Sequence, residues 1–285
     1  MSHQWLPTSP CGIGCLPQRP DRVSAMVVVG RWLALAVVAS CLVLVPLTRL
    51  LPAGTRGAVH RALARMALRG IGIRLDVVGG PVRVDGGTLV VAGHVSWLDV
   101  LVLAAVLPGQ FVARADLTSW PLLGAVARRV RVIPIDRENL RALPATVVTV
   151  RERLTAGGTV IAFPEGTTWC GPAFGRFRPA LFQAAIDARR PVLPLAVDYA
   201  DASGERTTGP CFVGEDSIGA SMRRVLRSRG VHARVVAGEL QQPGTDRREL
   251  ADRCERQVRR HADVGSDGVL EVLARLETRA HAHVA

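Results

Sequence analysis

The chain has 285 residues, with 36 basic and 24 acidic side chains and a formal net charge of +12. Hydrophobic residues make up 48% of it and the mean hydropathy is +0.23, which excludes an intrinsically disordered protein and leaves ample chain for one or two folded domains. All the basic residues are arginine, and the few aromatic residues are not interleaved with them as in a surface that stacks single strands. We therefore expect no nucleic-acid partner, whereas a positive surface can favour an anionic membrane.

The two N-terminal segments differ in polarity. Residues 1–25 are polar and contain four prolines, which predicts a disordered tail. Residues 26–47 are apolar except for Arg31 and are long enough to cross the hydrocarbon core of a bilayer. We interpret them as a transmembrane or deeply inserted helix, with Arg31 reaching toward the membrane interface. A lipoprotein cleavage site before Cys41 and a buried helix of the folded domain are the alternatives.

The segment Thr55–Arg69 predicts an amphipathic helix with Val59, Leu63, Met66 and Ala67 on its apolar face. An arginine-rich helix directly after an apolar stretch suits the headgroup layer of a membrane, although a surface helix packed on the core fits equally well. Residues 26–70 are therefore predicted to be a membrane-associated helical segment. Arginine is more abundant after the apolar stretch than before it, which favours a cytoplasmic side for the following domain.

From residue 71 to residue 262, short β runs alternate with helical patterns, which predicts one α/β domain with a mixed sheet flanked by helices. The predicted strands are Ile73–Val78, Thr88–Ala92, Phe111–Ala113, Val130–Ile133, Thr159–Phe163, Val192–Val197 and His232–Ala237. The predicted helices are Trp97–Leu107, Trp120–Arg128, Asn139–Leu154, Pro179–Arg189, Ser217–Arg229 and Arg247–His261. Residues 263–285 are predicted to carry a last helix, Val269–Arg279, and a frayed end.

Six cysteines are scattered along the chain, a distribution that fits a reducing cytosol rather than a disulfide framework. Cys11 and Cys15 form a C-x-x-x-C pair, but no second pair or histidine run completes a zinc set in the sequence. We therefore expect no metal site.

The segment His94–Asp99 lies where an apolar strand is predicted to end and an apolar helix to begin. Such a turn can place the Asp99 carboxylate beside the His94 imidazole, where it fixes the tautomer and raises the basicity of the other ring nitrogen. This acid–base pair has no covalent nucleophile in its motif and suits direct attack by a substrate hydroxyl on an activated acyl group. The alternative is that Asp99 only caps the helix, because Ser96 and Asp99 also fit a capping box.

The segment Phe163–Thr168, with the sequence FPEGTT, directly follows another apolar strand. A carboxylate followed by glycine at a strand end can accept hydrogen bonds from a polyol, while backbone N–H groups of the loop bind an anion. The alternative is a plain turn that ends the strand.

Two further segments each combine an apolar strand with one distinctive residue, an arginine after the strand in the first and a proline within the strand in the second. In Ile133–Arg137 an arginine follows the strand and could hold a phosphate in a bidentate fork, although a surface ion pair with the preceding aspartate is the alternative. In Val192–Leu195 a proline interrupts an apolar run, which requires either an edge strand or a bulge.

Taken in their order along the chain, the four segments resemble the motif blocks of the glycerolipid acyltransferase family. The resemblance is to its 1-acyl-sn-glycerol-3-phosphate and lysophospholipid acyltransferase type. The blocks are H-x4-D, a strand ending in D-R, F-P-E-G-T, and an apolar strand that contains proline. Phe111–Arg114 is similar to a further segment of the family. The resemblance spans roughly residues 85–200.

The resemblance implies transfer of an acyl group from acyl-CoA or acyl-carrier protein to the free hydroxyl of 1-acylglycerol-3-phosphate, which gives phosphatidic acid. It implies that His94 takes the hydroxyl proton and that Asp99 orients His94. The residues that the resemblance places around the acceptor and its phosphate are Arg114, Arg137, Glu165, Gly166 and Thr167. It also implies a cell-membrane enzyme with its catalytic domain on the cytoplasmic side, and no cofactor besides the acyl donor.

Two observations keep other acceptors open. Thr168 stands where the family frequently has an arginine, and the sequence from Phe163 to Ala185 is similar to the branch that acylates lyso-ornithine lipids. Lyso-ornithine lipid or another lysolipid is therefore the alternative acceptor. A membrane-anchored lipid-binding protein without turnover is the alternative from another class.

Overall fold

The computed structural model describes residues 7–262, apart from residues 19–20, 117–123, 125–126, 129 and 138. The predicted helix Val269–Arg279 and most of the predicted helix Trp120–Arg128 lie outside the described residues. The described helices are α1 (Ala25–Leu42), α2 (Ala53–Gly70), α3 (Leu98–Val106), α4 (Leu143–Thr155), α5 (Phe182–Ala188), α6 (Ile218–Arg227) and α7 (Arg247–Ala262). The described strands are β1 (Arg74–Val78), β2 (Leu89–Ala92), β3 (Gln110–Arg114), β4 (Ile133–Ile135), β5 (Val160–Ala162), β6 (Val192–Ala200) and β7 (His232–Ala237).

The described strands form one mixed sheet in the order β1-β7-β6-β2-β5-β3-β4. Strands β6 and β7 are antiparallel, and the other described neighbours are parallel. Leu89 of β2 pairs with Val160 of β5 on one side and with Val192 of β6 on the other. Because these three strands are parallel, their carboxyl ends meet at one edge of the sheet, where ligands bind in open α/β sheets.

Helices cover both faces of the sheet, which confirms the predicted α/β class. Val90 and Ala92 of β2 face the cluster that includes helices α2, α3 and α6. Leu89 and Val91 face the opposite cluster, which includes α4, α5 and α7. Strand β2 is buried on both faces, as expected for a central strand between two helical layers.

Pro194 lies in the central strand β6 and is accommodated by a bulge, one of the two predicted possibilities. Leu195 pairs with Ala237, and an isolated bridge joins Val192 to Gln241. Between these pairs, residues 193–194 oppose residues 238–240, so two residues face three. The extra residue locally interrupts the ladder, so the missing N–H of the proline is tolerated in the middle of the sheet.

Helix α1 is the one described helix that is long and apolar enough to cross a membrane, and most of its surface is exposed. Met26 and Leu33 are 85% and 63% exposed, while Val28 and Leu35 pack against the core. The position of the Arg31 side chain differs from our expectation. The side chain does not reach away from the domain but donates to the carbonyl oxygens of Leu226 and Ser228, both at 2.8 Å. These carbonyls at the end of α6 lack helical partners, so a guanidinium stabilises them.

Helix α2 packs on α3 through a face that differs by part of a turn from the predicted one. Ala64, Ala67 and Leu68 are buried, whereas Met66, which the sequence placed on the apolar face, is 47% exposed. The arginine-rich helix is therefore attached to the folded domain through its alanine-rich side.

The described part of the N-terminal tail lies against the domain, which differs from the expectation of disorder. Cys11 is buried in a cluster with Cys170 and Cys211. The backbone carbonyl of Cys15 accepts a hydrogen bond from the Thr208 hydroxyl at 2.6 Å. Cys11 gives this segment an apolar contact with the domain, which the polar composition of residues 1–25 did not indicate.

Candidate active site

The loop between β2 and α3 holds His94 and Asp99 together. The Nδ1 atom of His94 lies 2.9 Å from Oδ2 of Asp99. A carboxylate only accepts hydrogen bonds, so Nδ1 carries the proton and the lone pair of the neutral imidazole is on Nε2. The His94 side chain is 16% exposed and lines a small cavity of about 30 Å³ at the carboxyl edge of the sheet.

One oxygen atom of Asp99 accepts hydrogen bonds both from the backbone just before α3 and from His94. Its Oδ2 accepts hydrogen bonds from the backbone N–H groups of Val95 and Ser96 at 2.8 and 2.9 Å, besides the bond with His94. The hydrogen bonds expected for a helix cap and the hydrogen bond expected for a His–Asp pair therefore occur together on one carboxylate. The three donors hold that oxygen of the buried side chain in one position.

The second carboxylate oxygen of Asp99 has a partner that our sequence analysis missed. The Tyr199 hydroxyl donates to Oδ1 of Asp99 at 2.7 Å, and both side chains are buried. Burial and the adjacent charge of Asp99 raise the pKa of Tyr199 well above its ordinary value, so the hydroxyl remains a donor. The predicted strand ended at Val197; extended to Ala200, as β6 is, its alternation would have placed Tyr199 on the same face as Leu195 and Val197.

Phe163 and the end of β5 support the imidazole from one side. The rings of His94 and Phe163 stack with their centroids 4.1 Å apart and an angle of 16° between their planes. Phe111 stacks in turn on Phe163 at 6.4 Å. The ring of His94 is thereby confined between its hydrogen bond to Asp99 and an aromatic face.

Glu165 is buried and binds the backbone of the loop between β2 and α3, residues 93–97, which we call the histidine loop. Its Oε2 accepts a hydrogen bond from the backbone N–H of His94 at 2.7 Å, and its Oε1 accepts one from Arg259 of α7 at 2.7 Å. Burial raises the pKa of the Glu165 carboxyl, and the Arg259 charge partly offsets that rise. The Arg259 guanidinium also lies 3.9 Å from the ring centroid of Phe174. These contacts give Glu165 a positioning role toward His94.

Arg137 follows β4 and lines a second cavity, of about 340 Å³, together with Phe163, Gly166 and Arg178. Burial lowers the pKa of Arg137 to about 10, and repulsion from the Arg114 and Arg178 charges adds to the decrease. A cavity whose arginines repel one another is a site that an anion would stabilise. Phe163 borders this cavity and stacks on His94, so the cavity and the imidazole share a wall.

The predicted residues therefore fall into three groups. His94, Asp99 and Glu165 are joined by hydrogen bonds. Arg137 and Gly166 line the second cavity, and Gly166 has a φ of +76°, which glycine adopts without strain. Arg114 is half exposed and binds Asp116 through two hydrogen bonds, at 2.6 and 2.9 Å, so it contributes charge near the cavity rather than lining it. Thr167 follows Gly166 in the loop, is half-buried, and lines neither of these two cavities.

Comparison with known proteins identifies the family. Residues 74–198 match the family model described as Acyltransferase. The 1-acyl-sn-glycerol-3-phosphate acyltransferase of Neisseria gonorrhoeae is 34% identical over 202 residues, which cover 70% of this chain and 78% of that protein. The chain belongs to the acyltransferase family. The acyltransferase is also 33% identical over 187 residues to the lyso-ornithine lipid O-acyltransferase of Pseudomonas aeruginosa, with 62% of this chain and 70% of that protein covered.

A solved structure has the same fold as this acyltransferase. The crystal structure of the 1-acyl-sn-glycerophosphate acyltransferase PlsC from Thermotoga maritima superposes with a TM-score of 0.64 and covers 84% of this chain and 94% of its own. The sequence identity is 19%, so this likeness concerns the fold. The relatives above identify the protein as an O-acyltransferase that acts on lysolipids.

Proposed function

We propose that this lysolipid acyltransferase transfers an acyl group from acyl-CoA or acyl-carrier protein to the free hydroxyl of 1-acylglycerol-3-phosphate and so makes phosphatidic acid. The cavity with Arg137 beside the His94–Asp99 pair carries the proposal, because it joins an anion site to an acid–base pair. The substrate in the name of the Neisseria relative agrees with this choice.

In the proposed reaction, Nε2 of His94 takes the proton of the acceptor hydroxyl as its oxygen attacks the thioester carbonyl. The resulting tetrahedral intermediate breaks its carbon–sulfur bond, and the imidazolium returns the proton to the departing thiolate. General acid–base catalysis of this kind contributes about 10²–10⁴-fold, and holding both substrates in place supplies much of the rest. Asp99 stabilises the transient positive charge on His94 from 2.9 Å.

Arg137 is proposed to bind the phosphate of the acceptor. Its guanidinium is half-buried near two other arginines, Arg114 and Arg178, and their repulsion would be relieved by a bound dianion. The apolar side chains of Leu140, Leu143 and others in the same cavity suit the start of an acyl chain. We assign Gly166 to the wall of this cavity, and Thr167 to the loop that shapes it.

Lyso-ornithine lipid is the second candidate acceptor. It is supported by Thr168, which stands where the family frequently has an arginine, and by relatives such as the lyso-ornithine lipid O-acyltransferase of Rhizobium meliloti, 37% identical over 147 residues. An acceptor without a phosphomonoester would depend less on Arg137. A binding protein without turnover is not supported, because both members of the acid–base pair are present and joined.

We further propose that residues 26–70 attach the enzyme to the cell membrane and that the catalytic domain, residues 71–262, lies on the cytoplasmic side. The exposed apolar surface of α1 supports attachment, since a surface of this kind is unfavourable in water. The arginines of α2, which follow α1, favour the cytoplasmic leaflet.

The test offers lysophosphatidate and lyso-ornithine lipid separately to membranes that contain the full chain, with acyl-CoA or acyl-carrier protein as donor. Product is separated by chromatography for the wild type, His94→Ala and Arg137→Ala. We expect phosphatidate from the wild type and none above background from His94→Ala. We also expect the KM for lysophosphatidate to rise in Arg137→Ala while its kcat changes little.

Two results would overturn parts of this proposal. Product from lyso-ornithine lipid alone would keep the acid–base pair and replace the acceptor. Phosphatidate formation that persists in folded His94→Ala would remove His94 from the reaction.

A further inference from the structure

A group of three cysteines joins the N-terminal segment to a loop at the candidate active site. The Sγ atoms of Cys11, Cys15 and Cys170 all lie within 4.8 Å of one another. All three are free thiols, with Cys11 and Cys170 buried and Cys15 half-buried. None of them has a place in the proposed acyl transfer.

The backbone around each sulfur fits a metal ligand. Cys11 and Cys15 flank a tight 3-10 turn in which the Cys15 N–H donates to the Gly12 carbonyl at 2.9 Å, and a three-residue spacer is within the range that zinc pairs use. On the other side, the backbone N–H of Ala173 donates to Sγ of Cys170 at 3.5 Å. Hydrogen bonds from N–H groups stabilise thiolates in metal sites.

The distances also fit zinc. With zinc–sulfur bonds of about 2.3 Å, tetrahedral ligands lie about 3.8 Å apart, so these sulfurs need to move together by less than about 1 Å. Cys211 packs in the same buried cluster, and its Sγ lies 3.3 Å from the carbonyl oxygen of Cys170. Cys211 is the further described cysteine in this cluster and is therefore the candidate for a fourth ligand.

Metal binding accounts for the group better than a disulfide does. A disulfide would use two sulfurs and leave the third thiol without a role, whereas one thiophilic cation uses all three. Clustered cysteines in proteins of a reducing compartment more often bind metal than form structural disulfides.

We propose that Cys11, Cys15 and Cys170, with Cys211 as the fourth ligand, bind one zinc ion that fixes the N-terminal segment on the active-site loops. Each thiol releases its proton as its sulfur binds the metal.

The two ligands of the catalytic domain lie next to residues that hold the histidine loop. Trp169 precedes Cys170, and its backbone N–H donates to the carbonyl of His94 at 2.8 Å. Phe212, which follows Cys211, donates its N–H to the carbonyl of Val95, also at 2.8 Å. The metal would therefore stabilise the backbone on both sides of the catalytic imidazole, so this is a structural site.

The test measures metal in the full chain, purified in detergent with a tag that binds no metal and without chelator. Elemental analysis by mass spectrometry should give one zinc ion per chain for the wild type. We expect Cys11→Ser and Cys170→Ser to lose the zinc, and the control Cys41→Ser, whose cysteine lies in α1 outside the group, to retain it.

A second measurement uses only the folded wild type. Titration with an organomercurial reagent should release zinc to a colorimetric chelator as the cluster thiols react. Wild-type protein without stoichiometric zinc, zinc that is retained in both cluster variants, or a disulfide between two of the three cysteines in protein prepared without air would each overturn the proposal.

Discussion

Replacing Asp99 by asparagine separates the charge of this residue from its hydrogen bonds. The backbone N–H groups of Val95 and Ser96 both donate to Oδ2, so the asparagine oxygen must occupy that position. The amide nitrogen then faces the hydroxyl of Tyr199, which can accept as well as donate. His94 consequently keeps its Nδ1 proton and its orientation, and only the negative charge is lost.

The expected loss of rate follows from that charge. The hydrogen-bonded atoms are 2.9 Å apart, which places the centres of the two charges about 4 Å apart. A unit-charge interaction at about 4 Å is worth about 4 kcal/mol at an effective dielectric constant of about 20. Because about 1.4 kcal/mol corresponds to tenfold in rate, we expect kcat to fall about 10³-fold in Asp99→Asn.

The assay measures kcat and KM for acyl transfer to a saturating lysolipid, together with the thermal unfolding midpoint. Asp76→Asn is the matched control, because Asp76 pairs with His232 at 3.1 Å on the exposed side of β1 and β7. The control should retain wild-type kcat. If folded Asp99→Asn keeps kcat within about threefold of the wild type, the stabilisation of an imidazolium by this carboxylate is refuted.

Three further substitutions test the surroundings of the pair. Tyr199→Phe removes one donor to a buried carboxylate, so the free energy of unfolding should fall by about 1.5–3 kcal/mol; an unchanged free energy of unfolding would contradict this role. Arg137→Ala should raise the KM for lysophosphatidate at least about tenfold, whereas Arg141→Ala, an exposed neighbour, should leave it unchanged. Arg259→Met leaves Glu165 buried without its cation, so unfolding free energy near neutral pH should fall by about 3–5 kcal/mol. Since burial raises the pKa of Glu165, the deficit in chemical denaturation should shrink as the pH falls and the carboxyl is protonated in both states; a pH-independent deficit would exclude this cause.

Local patterns predicted most of the fold because strand and helix periodicity are properties of neighbouring residues. Strand β7 begins and ends where alternation places it, at His232 and Ala237. Strand β4 begins at Ile133 instead of at Val130. There Arg131 takes a φ of +57° and the N–H of Val132 donates to the carbonyl of Ala127, so a turn occupies the start of the predicted strand.

The candidate site was less accessible to sequence reasoning because its contacts join distant parts of the chain. The H-x4-D spacing predicted the pairing of His94 with Asp99, since five residues span one turn. Arg259 is 94 positions from Glu165 and lies in the separate helix α7. Cys170 is 155 positions from Cys15, and no local pattern connects them.

Long-range hydrogen bonds also fix the backbone of the histidine loop. The N–H of His94 donates to Glu165 and its carbonyl accepts from Trp169, while the carbonyl of Val95 accepts from Phe212. These partners come from two other loops, so the backbone on both sides of the imidazole is fixed before substrate binds. A loop held in this way loses little conformational entropy in the reaction, which is the physical content of preorganisation. The H-x4-D spacing sets the pair, and the neighbouring loops keep it in the geometry that the proposed reaction requires.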